Sequence, residues 1–239
     1  MRSLSLLVLL LGLEIGQAQG QPSTQRLYCN LTLEYWRTRP SGSGYLDSTK
    51  ALVTGTCWAV EVKGQPVLIT AAHNLGLGPN FLLSHPPRAK LLAVHCDPVV
   101  GLLGQPLSAV GIPVGNPDWV GLRPVDVSVF KGSQLHTLGK TAPKAGDSVT
   151  VVGFPDTPHE QRATRTITAI SPNNEFMVFN EPLEPGYSGG VVMTLKNQAI
   201  GVVSTTDKKQ STALLLSSDK IASLQWKPFE QLRHRRIDP

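Results

Sequence analysis

Charge is scarce in this chain: 16% of its 239 residues are Asp, Glu, Lys or Arg, against 41% hydrophobic. That balance buries enough apolar surface to fold and excludes global disorder. Cysteine is scarcer still, with three in all, Cys29, Cys57 and Cys96. No Cys/His cluster has the spacing of zinc ligands, so no metal site and no cofactor are expected. An odd count leaves one thiol over, and three single disulfide pairings are possible. Strong helical periodicity is missing before the C-terminal segment, and no repeat of solenoid period occurs. Part of the formal net charge of +5 lies in Arg233-His234-Arg235-Arg236. No stacking aromatics interleave with these charges, so they read as a solvated basic segment and no nucleic-acid partner is expected.

What is present begins with a leader. Arg2 precedes the uncharged run Leu4 to Leu13, Glu14 closes it, and Gly16-Gln17-Ala18 follows. A basic start, a short apolar run and small residues two apart form a secretory signal peptide, residues 1–18, with cleavage after Ala18. The run is about half of the roughly 20 residues a spanning helix needs, and no later segment is long and apolar enough. A secreted or extracytoplasmic chain with no stable membrane span is expected. Asn30-Leu31-Thr32 is a glycosylation sequon in a eukaryotic host.

Residues 19–44 are mostly polar and read as an extended arm, although Leu27 to Trp36 has strand character. From Ala51 onward, short runs rich in Val, Ile, Leu and Thr alternate with Gly, Pro and Asn. They include Thr56 to Val62, Pro66 to Ala71, Lys90 to Cys96, Val125 to Phe130, Ser148 to Gly153, Arg165 to Ile170, Gly189 to Leu195, Ala199 to Ser204 and Thr212 to Leu216. Many short strands with turn signals between them give an all-β barrel or sandwich. The turn-rich stretch Lys131 to Ala145 reads as a linker between two β halves, residues 45–133 and 134–220. Residues 221–239 are read as a C-terminal helix and basic tail, the helical stretch running from Asp219 to Leu232 and interrupted near Pro228.

Glu184-Pro-Gly-Tyr-Ser-Gly-Gly-Val-Val192 sets one hydroxyl, Ser188, among Gly186, Gly189 and Gly190. A plain turn needs one or two glycines, so this density points to a backbone arranged to present the serine and nearby N–H groups. A nucleophilic serine needs a base, and the base an orienting acid. His73 is the base candidate, because Leu68-Ile-Thr-Ala-Ala-His73 ends an apolar run in two small residues that let an imidazole lie close to backbone. Asp126 is the acid candidate, a charge opening the apolar run Val125 to Phe130 that a histidine partner would satisfy. Asp97 and Asp118 are rivals, but each adjoins a proline in a turn and reads as solvated.

In that order, Thr70-Ala-Ala-His73, Asp126-Val-Ser-Val129 and Gly186-Tyr-Ser-Gly-Gly190 resemble the His, Asp and Ser motifs of the trypsin-like, chymotrypsin-fold serine peptidases. The likeness is closer to the HtrA-like and small viral branches, and Gly146-Asp-Ser-Val149, Gly153-Phe-Pro155 and Ile200-Gly-Val-Val-Ser204 extend it over roughly Gly55 to Lys220. The resemblance implies two six-stranded antiparallel β-barrels with a cleft between them. It implies Ser188 as nucleophile, His73 as general base and then acid, and Asp126 as the group orienting His73. The N–H groups of Gly186 and Ser188 would form the oxyanion hole. Leu183, Ser204, Thr205 and Thr206 would help shape the substrate pocket, and the partner would be a protein or peptide substrate. No aspartate falls where trypsin-like enzymes select Arg or Lys.

The departures are equally specific. Tyr187 stands where animal relatives carry the aspartate that receives a freed N-terminus, so activation of that type is not expected. Asn74 stands where those enzymes carry a cysteine after the histidine, and no PDZ domain is expected after Lys220. Three rival readings remain. A viral polyprotein-processing protease would share the chemistry and use the hydrophobic start to reach a membrane. A binding protein on the same fold would have lost activity. An α/β-hydrolase elbow, G-x-S-x-G, needs a helix after Ser188, with His234 as base and Asp207 or Asp219 as acid.

Overall fold

The computed structural model describes residues 23–77, 89–100, 106–115, 117–130, 133–155, 157, 159–206 and 210–236. The proposed signal peptide, residues 1–18, lies outside them. The first half of the chain supplies β1 (Thr24–Thr38), β2 (Gly44–Val62), β3 (Gln65–Thr70), β4 (Ala89–Val100), β5 (Leu107–Ile112) and β6 (Val120–Pro124). The second supplies β7 (Thr137–Leu138), β8 (Ser148–Gly153), β9 (Gln161–Ile170), β10 (Phe176–Phe179), β11 (Val191–Thr194), β12 (Gln198–Thr206) and β13 (Ser211–Leu215). There follow helix α1 (Ser218–Ala222), β14 (Gln225–Pro228), helix α2 (Glu230–Arg233) and β15 (His234–Arg236).

Two sheets result. In the second, the order β11-β8-β9-β10-β13-β12 closes on itself because β11 also pairs with β12, and β7 adds to β12 in parallel. This is a six-stranded barrel filled by alternate residues such as Val149, Val151, Ile167, Met177 and Val203. The first sheet has the order β14-β5-β6-β3-β2-β1-β4-β15. Its six consecutive strands curl around a core of Leu27, Leu31, Leu68, Val94, Val110 and Leu122. The all-β double-barrel architecture is the expected one. A third cluster joins the halves, with Trp58, Val60, Val67, Ile69 and Trp119 against Val152, Val191, Met193 and Val202. Full burial of each such side chain contributes about 1.5–3 kcal/mol, so the two halves are fixed relative to each other.

Local chemistry explains individual elements. The β2–β3 hairpin turns on Lys63 and Gly64, both at positive φ (51° and 75°), the conformation of a two-residue turn matched to strand twist. Residues 24–38, expected as part of a polar arm, form the long strand β1 between β2 and β4. Period-2 alternation decides it: Leu27, Cys29, Leu31, Leu33 and Tyr35 are buried, while Asn30 and Glu34 face solvent. Val125 to Phe130, expected as a strand, is instead a turn ending in a 3₁₀ segment, Val127–Phe130, with Val125 63% and Val127 42% exposed. The true strand there is β6, which ends at Pro124.

The C-terminal segment keeps two short helices, α1 and α2, on either side of Pro228, but the residues between and after them are strand rather than helix or solvated tail. β14 pairs with β5 and β15 pairs with β4, so residues 225–236 supply both edge strands of the first sheet. Between them Phe229 is buried in the first core and donates its N–H to the Ser108 carbonyl (3.0 Å). Arg233 pairs with Asp97 (2.6 Å), and Arg235 donates to the Gly76 carbonyl.

All three thiols lie in the first core, and Cys29 Sγ is 3.0 Å from Cys96 Sγ. The Cys29 thiol is raised by its bond to Cys96 and by burial, and burial alone pushes Cys57 up to about 12. Cys29 and Cys57 are thereby held as thiols in the folded chain, and all three side chains are buried, so they react only on opening. Refolding with a small-molecule disulfide oxidant should yield one Cys29–Cys96 bond and leave Cys57 as a thiol. Peptide mapping without reduction checks this, and any bond to Cys57 contradicts it.

His136 joins the halves on the β7 side. Its N–H donates to the Ala59 carbonyl (3.0 Å), its Nε2 lies 2.9 Å from Thr24 Oγ1, and its ring stands edge-on to Trp58. Burial, aided by the positive charge of Arg162, lowers its pKa from 6.5 to about 4. Between those values the unfolded chain binds the proton that the folded chain refuses, so stability falls as pH drops through that window. A thermal melt series from pH 7 to pH 4 should show that fall, with a shallower slope in His136→Gln.

Candidate active site

The first sheet delivers the imidazole. β3 ends at Thr70, fully buried Ala71 and Ala72 follow, and a 3₁₀ turn over Ala72–Leu75 carries His73. The serine-bearing loop of the second barrel packs on the backbone at the first alanine: a Cβ at Gly189 would stand 3.0 Å from the Ala71 nitrogen.

A carboxylate is brought to this imidazole by strand register. β3 and β6 run antiparallel with Thr70 opposite Val120, and the ladder continues past both ends as Ala72 N–H to the Asp118 carbonyl (3.2 Å). Asp118 is thereby set beside His73. One carboxylate oxygen accepts the His73 backbone N–H (3.0 Å) and the other lies 2.8 Å from Nδ1. Ser204, on β12 of the second barrel, donates its hydroxyl to that second oxygen at 2.7 Å. Asp118 is only 4% exposed, so these bonds replace the water it lost. With the carboxylate at Nδ1, a neutral ring carries its proton there and presents Nε2 as an acceptor.

Asp126 does not meet His73. It lies beyond β6, at the end of that strand remote from Asp118. Its exposed carboxylate accepts the Ser128 N–H (2.8 Å), and the hydrogen bonds from Ser128 hold its pKa below the usual range. The proline before Asp118 made that residue look like a solvated turn, whereas the apolar run Trp119-Val-Gly-Leu122 after it was the available strand signal. The other rival, Asp97, is engaged by His95 (2.7 Å) and Arg233 on β4.

Ser188 sits on the loop before β11 and is 8% exposed. Gly186 and Gly189 take φ of +96° and +84°, where a side chain is strained. A Cβ at Gly186 would overlap the Phe154 carbonyl, and one at Gly189 would overlap the Thr56 carbonyl and Thr70 hydroxyl. Gly190 N–H donates to the Tyr187 carbonyl (2.7 Å), and Gly189 N–H to the Val203 carbonyl (2.8 Å). Among the described residues, no backbone carbonyl accepts from the N–H of Gly186 or Ser188. Tyr187 is 5% exposed in the second core, where Gly153 makes room for its ring.

Of the residues expected to shape a pocket, Ser204 bonds Asp118, and Leu183 is buried in the second core, its N–H donating to Ser211 Oγ (2.8 Å). Thr205 and Thr206 continue β12 opposite Thr212 and Ser211, and their side chains lie outside the described residues. A strand, β11, and not a helix follows Ser188, which removes the α/β-hydrolase elbow. In that reading Asp207 lies outside the described residues, and His234 sits on β15 against His95 (2.7 Å).

Compared by sequence, the chain matches no family model and no curated protein. Compared by structure, it is similar to a Glu endopeptidase at TM-score 0.50 and 10% identity, over 79% of this chain and 86% of that one. An HtrA-type protease, AlgW, solved with a decapeptide, matches at TM-score 0.50 and 16% identity, over 83% of this chain and 61% of that one. The chain thus spans less than two thirds of AlgW. A protease from M. tuberculosis in its active form gives TM-score 0.48 and 16% identity, over 81% of this chain and 82% of that one. At these identities the likeness establishes the fold, that of the trypsin-like serine proteases.

An imidazole N–H bonded to a buried carboxylate resonates far downfield in proton NMR. Such a signal from His73 should persist in Asp126→Asn and vanish in Asp118→Asn. The reverse pattern would return the acid to Asp126.

Proposed function

We propose that this chain is an exported serine endopeptidase that cleaves peptide bonds through a Ser188 acyl-enzyme. The observation that carries this reading is His73, held through Nδ1 by a buried carboxylate that takes a further bond from Ser204, with the glycine loop of Ser188 packed on the same turn.

In this reading Ser188 Oγ attacks the substrate carbonyl and passes its proton to His73 Nε2. Asp118 keeps the ring in the correct tautomer and stabilises the imidazolium. The N–H groups of Gly186 and Ser188, free of backbone acceptors among the described residues, receive the oxyanion. His73 then protonates the leaving amine, and water, activated by the same ring, releases the acyl group. The leader-like residues 1–18 support export.

A fluorophosphonate probe should label the folded protein at Ser188 and fail on Ser188→Ala. Peptide-library cleavage should be abolished in Ser188→Ala and His73→Ala. It should fall by roughly 10⁴ in Asp118→Asn, as in the equivalent change in trypsin, and stay near wild type in Asp126→Asn. A folded protein that neither labels nor cleaves would be the inactive binding protein on this fold.

A further inference from the structure

The Ser188 loop belongs to the second barrel, yet its carbonyls are held from the first. Thr56 N–H donates to the Ser188 carbonyl (2.8 Å), and Thr56 Oγ1 donates to the Gly186 carbonyl (2.9 Å). That hydroxyl also accepts the Phe154 N–H (3.0 Å), which directs its one proton to Gly186. Asn74, next to His73, adds a second bond to the Ser188 carbonyl through Nδ2 (3.1 Å).

The direction of the Asn74 amide follows from its partners. The Ser188 carbonyl can only accept, and Thr70 Oγ1, which receives the other Nδ2 bond (3.2 Å), spends its own proton on the Thr56 carbonyl (2.7 Å). Nδ2 must therefore face both. Asn74 is 1% exposed, and its Oδ1 is buried with no partner among the described residues. An unsatisfied buried acceptor is costly, and an apolar side chain would avoid that cost. The sequence even makes room for the amide, since a Cβ at Gly55 would overlap it.

We propose that Thr56 and Asn74 are positioning residues that fix the oxyanion-binding loop from the opposite barrel. This rests on the peptidase reading above. Three successive peptide planes are held: 186–187 by Thr56 Oγ1, 187–188 by Gly190 N–H on the Tyr187 carbonyl, and 188–189 by Thr56 N–H and Asn74. The middle plane carries the Ser188 N–H, so fixing its neighbours aims that donor and the Ser188 side chain. Tyr187 fills the place of an activation aspartate, and the tether from the first sheet takes over the ordering task.

The test uses Thr56→Val, its conservative counterpart Thr56→Ser, and Asn74→Leu in the full chain. Thr56→Val and Asn74→Leu should each lower kcat about 10- to 100-fold with little change in KM, short of the 10²–10³ that loss of an oxyanion donor costs. Thr56→Ser should restore kcat. A peptide boronic acid, which mimics the tetrahedral intermediate, should lose affinity in step with kcat. Amide exchange at Gly189 and Gly190 should accelerate at least tenfold while amides of β8 and β9 keep their protection. Unchanged kcat and exchange in Thr56→Val, or an equal loss in Thr56→Ser, overturns the proposal. So does a loss accompanied by equal acceleration across β8 and β9, which marks general destabilisation. If the wild type proves inactive and unlabelled while loop exchange still responds as stated, the peptidase reading falls and the tether stands.

Discussion

A carboxylate buried to 4% exposure must be fully bonded or it unfolds its surroundings. Asp118 meets that demand with groups from three places: the His73 backbone, the His73 ring and the Ser204 hydroxyl. The first two require that β3 and β6 keep the register that sets Thr70 opposite Val120. The third requires that β12 of the other barrel reach across. Register within one sheet and docking between two sheets are thus both specified by one negative charge. The apolar contact of Trp58, Ile69 and Trp119 with Val152, Val191 and Val202 provides the adhesion, and Asp118 provides the alignment.

Exchange between the barrels runs in both directions. The second barrel gives Ser204 to the acid of the first, and the first gives Thr56 and Asn74 to the serine loop of the second. In the proposed peptidase site, neither half carries every group. Geometry of this kind is held by packing on both sides of the seam, which is where rigid support of a reacting group is most effective.

Much of this was legible in the sequence. Ser148 to Gly153 matches β8, and the core of β2, β3, β9, β12 and β13 follows from runs of β-branched residues. His73 and Ser188 stand out because small residues crowd around them, a demand for close packing that a sequence displays directly. The acid was not legible in the same way. A strand-opening aspartate and a turn aspartate look alike until register is known, and register is a relation between β3 and β6 that neither segment states alone. Position beside proline suggested solvent for Asp118, whereas residue 118 is sealed by Ser204, 86 residues away. The strand β1 was obscured for a related reason. Its polar residues are the outward half of an alternation, and reading them as an average hid the inward half.

The segment over residues 225–236 couples the order of synthesis to the state of the site. β4 and β5, the outer strands of the first six, receive β15 and β14 from this segment, and Arg235 reaches the Gly76 carbonyl just beyond the His73 turn. On a translating ribosome all six strands emerge before the segment that covers them. These pairings span more than a hundred residues, as between His95 and His234, and contacts so distant along the chain form late. Without that segment β4 and β5 are the edges of the sheet, each a template for another strand. Pairing of β14 and β15 moves the edges of that sheet onto strands of four and three residues, and β15 carries Arg235 to the Gly76 carbonyl beside the His73 turn, so one segment both shortens the open edges and supports the histidine loop.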